Sequence, residues 1–148
     1  MTISWRPYVW KTVRPATSHE VAKLEQEWGV SLPGDYTSLA VTHQGMAPTP
    51  AVLDIGRGNT VVCELLTISM DEEHWGSSMS EVYKSIQPHI PPGIYPFAAT
   101  GAGDFICFDY RHSPNAPSVV FYFAEAEGEE AIYPVGDSFT EFLSKLHD

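Results

Sequence analysis

Several stretches of the sequence carry residue types capable of chemistry. In Gly101-Ala102-Gly103-Asp104-Phe105 two glycines invite comparison with a nucleotide-binding loop. Such a loop needs a third glycine and a helix whose first amides hold phosphate, but Ile106 stands at the glycine's place and a strand-like run follows. Gly56-Arg57-Gly58-Asn59-Thr60 likewise lacks the Gly-Lys-Ser/Thr that cradles phosphate and magnesium. A turn explains both segments. Asp104, Asp109 and His112 are metal-ligand types, yet the two aspartates are separated by an odd number of residues and point to opposite faces of a regular strand. Asp109 is expected instead to bond backbone amides at a strand end. Cys107 could be a nucleophile beside one of six histidines, but it lies inside Phe105-Ile106-Cys107-Phe108, where a thiol behaves as a small hydrophobe. With no G-x-S-x-G elbow and no H-E-x-x-H helix, the expectation is no catalytic residue, no metal site, no cofactor and no small-molecule substrate.

Charge is the more informative property. Nineteen acidic against eight basic side chains give a net charge of −11, a field that repels phosphate backbones and draws in cationic proteins. Nucleic acid is therefore not the expected partner, and a basic protein is. Two acidic runs stand out: Asp71-Glu72-Glu73, and the glutamates Glu125, Glu127, Glu129 and Glu130. Charge runs are mostly solvated faces, but the second run falls at a predicted strand-to-strand tip, where loops present binding residues. These seven acids are the candidate partner-binding residues. Residues 1–15 reverse the balance, with Arg6, Lys11 and Arg14 and no acid. This basic aromatic arm is expected to pack Trp5, Tyr8 and Trp10 on the domain while its cations stay solvated.

The elements that would position these residues are well punctuated. Thr17 and Glu20 have capping-box spacing, Val21, Leu24 and Trp28 form an apolar stripe, and Gly29 is placed to end that helix. Leu32-Pro33-Gly34-Asp35-Tyr36 opens a second helix that Gly45 stops. Residues 46–60, rich in proline, glycine and asparagine, read as a loop before a buried strand over 61–68. Within the polar stretch 69–87, residues 81–86 allow a short helix before Pro88. Apolar runs at 94–99, 105–110 and 119–123 predict an antiparallel meander, followed by a strand at 131–135 whose Pro134 suits an edge. Ser138 and Glu141 suggest a second capping box for a helix carrying Phe139, Phe142, Leu143 and Leu146.

This order predicts an α+β fold: a mainly antiparallel sheet with helices packed on it, two at the N-terminal side and one at the C-terminal side. A length of 148 residues suits one domain spanning 1–148. The two cysteines, Cys63 and Cys107, form no disulfide framework and read as buried free thiols. No signal-peptide pattern occurs, nor the ~18 apolar residues of a membrane span, so a cytoplasmic protein away from membranes is expected.

The order of these pieces resembles the SUKH superfamily, which comprises bacterial immunity proteins against toxins and fungal cell-wall assembly regulators. The resemblance runs from Thr17 to the C-terminus. It rests on Glu25-x-x-Trp28-Gly29, Leu32-Pro33-x-Asp35-Tyr36 with Leu39 and Gln44-Gly45, Gly101-x-Gly103-Asp104-x-Ile106-Cys107-x-Asp109-Tyr110-Arg111, the strand at 119–123, and Asp137-Ser138-Phe139-x-Glu141-Phe142-Leu143. Gln44 stands where the family usually has asparagine, and Ala124 where a polar residue or histidine is common. The resemblance implies a mixed sheet with helices on it and neutralisation of a cognate toxin, often a nuclease, by direct binding. It implies no catalysis, and its signature residues look architectural, with Tyr36 and Phe139 as core anchors. A cytoplasmic regulatory or scaffold module is the alternative, and a small enzyme with a composite His/Asp pocket a third.

Overall fold

The computed structural model describes residues 3–8 and 13–148. In chain order the elements are β1 (Ser4–Pro7), α1 (Ser18–Trp28), α2 (Gly34–His43), β2 (Met46–Thr49), β3 (Val52–Ile55), β4 (Gly58–Leu65), α3 (Met79–Ile86), β5 (Ile94–Thr100), β6 (Phe105–Asp109), β7 (Ser118–Tyr122), β8 (Ile132–Gly136) and α4 (Phe139–Ser144). Short 3-10 turns occupy Glu72–Ser77, Gln87–His89 and Gly128–Ala131. Strands β3 to β8 form one six-stranded antiparallel meander in chain order, and β1 pairs with β2 in a separate ribbon. The α+β class, the meander and the placement of the first two helices and the last agree with the sequence.

Local chemistry accounts for the boundaries. Thr17 Oγ1 accepts from the Glu20 amide and the Glu20 carboxylate accepts from the Thr17 amide, closing the capping box on α1. Gly29, at φ 70°, ends the helix in the left-handed conformation, and its amide and that of Val30 both donate to the Glu25 carbonyl. The Glu25 carboxylate then accepts the Leu32 amide at 2.6 Å, fixing the entry into α2. Pro33 caps α2 from outside, one residue before its first turn. At α4 the predicted reciprocal box is only half formed. Ser138 Oγ accepts the Glu141 amide, but the Glu141 carboxylate takes the Asp137 amide rather than that of Ser138.

Two expectations need correction. Residues 46–60 are not a loop: they hold β2, β3 and the start of β4, with a Gly56-Arg57 turn making a hairpin. Such short strands, interrupted by Pro48 and Pro50, escape an alternation pattern that needs four or more residues to show. The basic arm packs as expected at Trp5, which stacks on His43 at 5.5 Å while Ser4–Pro7 pairs along β2, but not at Tyr8. Tyr8 remains exposed; Trp10 and Lys11 lie outside the described residues.

Alternation divides the interior. Ile106, Phe108, Val119 and Phe121 face the helices, joined by Leu24 and Trp28 of α1, Tyr36 and Ala40 of α2, Met79 and Val82 of α3, and Phe139, Phe142 and Leu146. Cys107, Val120 and Tyr122 point the other way, onto Ile86, Ile90, Ile94 and Ala131. Burial on both faces explains why these strands read as continuous apolar runs. Tyr36 is fully buried and meets Phe97, Phe108 and Phe139 edge to face at 5.1–5.8 Å. Pro96, in a central strand, is accommodated by a register shift between Pro96 and Ala98.

Polar ties lock the layers. Gln44 is 1% exposed; its Nε2 donates to the Arg14 carbonyl and Ser69 Oγ, and its Oε1 accepts from the Ile68 and Ser69 amides. Asp35 accepts from the Thr140 amide and hydroxyl, joining α2 to α4. At the flanks of the large sheet, Val52 and His147 exchange two backbone hydrogen bonds of 3.0 Å, and Lys145 Nζ donates to the Val135 carbonyl beside Pro134.

Candidate protein-interaction surface

The loop from β7 to β8 carries the second acidic run and is tied from three sides. The Ala124 amide donates to Asp104 Oδ1 at 2.8 Å, and the Phe123 amide to the Ala131 carbonyl. Arg111 grips both oxygens of Asp109 at 2.9–3.0 Å and also donates to Glu129. Burial alone would raise the Asp109 carboxyl, but the hydrogen bonds from the Arg111 guanidinium and amide outweigh it and hold the group below its ordinary value. Glu127 pairs with His89 Nδ1 at 2.9 Å. Glu125 and Glu130 are exposed and have no cationic partner among the described residues. Asp109 thus serves as a strand-end anchor, accepting the Arg111 amide as the sequence suggested.

The first acidic run is distributed differently. Arg14 is not merely solvated: its guanidinium binds both oxygens of Asp71 at 3.0 Å and both of Glu20 at 2.7–2.9 Å. Hydrogen bonding from Arg14 holds the Glu20 carboxyl down at about 2. Glu72 and Glu73 are exposed. Donor atoms of Asp71, Glu73 and His74 lie within 4.8 Å of one another, a spacing that could hold a metal ion, but both Asp71 oxygens already accept from Arg14.

The two cysteines differ in burial. Cys107 is fully buried, and burial pushes its thiol well above the ordinary range. Cys63 is only partly buried, contrary to the expectation of two buried thiols; it lies beside Gly101 and the exposed Tyr8.

Sequence reasoning missed several residues that shape the surface. A groove of about 550 Å³ runs between α1 and residues 68–70, floored by Leu24 and Ile68, with Met70 37% exposed. Glu27 stands on its rim, both carboxylate oxygens reached by Ser80 Oγ at 3.0 and 3.1 Å. Beyond that bridge Trp75, 47% exposed, lines a second depression with Glu81 and Val82. Trp75 sits in a polar acidic stretch with no periodic apolar companions, so no pattern announced it. Glu64 is 7% exposed, accepting from Ser77 Oγ at 2.8 Å, and burial raises its carboxyl.

The model of the SMI1 / KNR4 family (SUKH-1) matches residues 15–145. The chain belongs to that family. The match begins just past the β1 segment and takes in every element from α1 to α4. No curated protein matches the chain. As a SUKH-1 protein it has a toxin-immunity or regulatory role in general terms, exercised on a protein partner. The residues that carry the family likeness are largely structural: Glu25 binds the Leu32 amide, Trp28 stacks on Tyr95 at 4.6 Å, and Tyr110 donates to the Ser31 carbonyl. Gln44 fits its place through the four hydrogen bonds of its amide. Among the described residues no helix is long and apolar enough to cross a membrane.

Proposed function

We propose that this chain is an immunity protein that neutralises a cognate toxin by covering a positively charged surface on it, with no bond made or broken by its own side chains. The SUKH-1 match carries this reading, and a net charge of −11 supports a cationic partner such as a nuclease. Action in the cytoplasm, where a delivered toxin would act, belongs to the same proposal. Of the acidic candidates, Glu125, Glu130 and Glu72 make no ion pair among the described residues, whereas Glu129 and Asp71 pair with arginines of this chain and Glu127 and Glu73 contact His89 and His74. Capture of the neighbouring gene's product by the purified protein, with growth restored on co-expression, is the expected outcome. A neighbour that is no toxin, together with capture of a host cell-wall assembly factor, would overturn it in favour of the regulatory role.

A further inference from the structure

We infer that the groove between α1 and residues 68–70 receives one arginine side chain of the protein partner, with Glu27 as the recognition carboxylate. The inference rests on the reading of this chain as a binder of a cationic protein, and it locates a contact that neither acidic run supplies.

The groove has an apolar floor and one apolar wall, with Glu20, Lys23, Gln26 and Glu27 of α1 along its polar side. Leu24 and Ile68 are buried beneath it and Met70 forms an exposed wall, a lining suited to the methylenes of a long side chain. Ser80, 2% exposed on α3, reaches both Glu27 oxygens, so the carboxylate is already oriented and loses little further freedom on binding. Glu27 makes no direct ion pair among the described residues; the cation it acts on, Lys84, already pairs with Glu81 at 2.9 Å. The two other acids nearby are in a different state: Glu20 and Asp71 share Arg14, which leaves Glu27 as the acid of the groove without a direct ion pair. Lys23 lies one turn before Glu27, the less favourable order for a helical ion pair, and pairs with no acid among the described residues. A planar guanidinium matches a fixed carboxylate through two parallel hydrogen bonds, while an anionic ligand would meet both Glu27 and the negative field of the whole chain.

The test uses the intact protein and acetyl-Gly-Arg-Gly-amide, with the uncharged citrulline peptide as isosteric control, followed by amide chemical shifts. Saturable shifts centred on Leu24, Glu27 and Met70 at about 1–10 mM arginine peptide are expected, absent with citrulline. Glu27→Gln, which keeps the Ser80 hydrogen bond, should weaken binding about tenfold, and Glu125→Gln with Glu130→Gln should leave it unchanged. Equal shifts from both peptides, shifts centred elsewhere, no saturation, or wild-type affinity in Glu27→Gln would overturn the inference. Because no toxin is needed, the two readings fail separately. A captured toxin held as tightly by Glu27→Gln removes the groove and keeps the immunity role, while peptide binding without toxin capture does the reverse.

Discussion

Gln44 and Glu64 show how single buried polar groups set the stability of this chain. The Gln44 amide satisfies the Ile68 and Ser69 amides at once. Gln44→Ala leaves both donors in a site that water does not reach, at a cost of about 2–4 kcal/mol, readable as a lower urea midpoint with an unchanged slope. Glu64 acts in the opposite direction. Its carboxyl is raised by burial, with the Ser77 hydrogen bond only partly offsetting that, so the folded state holds its proton more tightly than the unfolded chain. Stability from this group is therefore full below the ordinary carboxyl value and falls as pH rises through the raised one. Glu64→Gln retains the Ser77 contact and removes the buried charge; it is expected to raise Tm by about 2–4 °C at neutral pH and to flatten the pH dependence above pH ~4.5. A Tm equal to or below wild type at neutral pH would sink this account.

At the scale of elements, the β7–β8 loop and the His147 segment are held by ion pairs of different exposure. Arg111 joins the end of β6 to Glu129, so Arg111→Gln removes the shared cation and is expected to speed hydrogen exchange of residues 124–131 while leaving the β5 amides protected. His147 is raised from its ordinary value first by the Asp148 carbonyl and then by Asp54 Oδ1 at 3.0 Å. A raised histidine contributes fully below its unfolded value and loses that contribution as pH climbs through the folded one. The protection factor of the Val52 amide, which donates to the His147 carbonyl, should accordingly drop between about pH 6 and pH 8, and His147→Gln should abolish that drop. How legible each element was follows from its length. The caps at Thr17 and Ser138, the Gly29 ending and the apolar runs of β5 to β7 could be read from the chain because each signal spans only a few adjacent residues. Strands β1 and β2 could not, since their pairing joins residues as far apart as Ser4 and Thr49, and β3, though it pairs locally with β4, has only four residues in which to show a pattern.

For the whole molecule, net charge was legible and its partition was not. Composition gives −11, but only the fold shows Arg14 and Arg111 pairing with Asp71 and Glu129 and His89 meeting Glu127, while Glu72, Glu125 and Glu130 make no ion pair among the described residues. Ion pairing across long sequence separations cannot be inferred from runs of like charge. Association with a cationic toxin should therefore slow as salt rises, and exchanging Glu125 and Glu130 for glutamine should flatten that slope more than exchanging Glu127 and Glu129. Stopped-flow rates at several ionic strengths decide it; equal slopes would mean the internally paired acids are as available as the open ones.

The flanks of the meander have a last implication. One side is bonded by His147, and the other carries Pro134, which has no amide hydrogen to offer, beside a carbonyl occupied by Lys145. These contacts cover part of each edge, Val52 on β3 and the Pro134–Val135 stretch on β8. Such partial blocking disfavours edge-to-edge pairing of crowded copies and turns a partner toward the side chains on the outer faces.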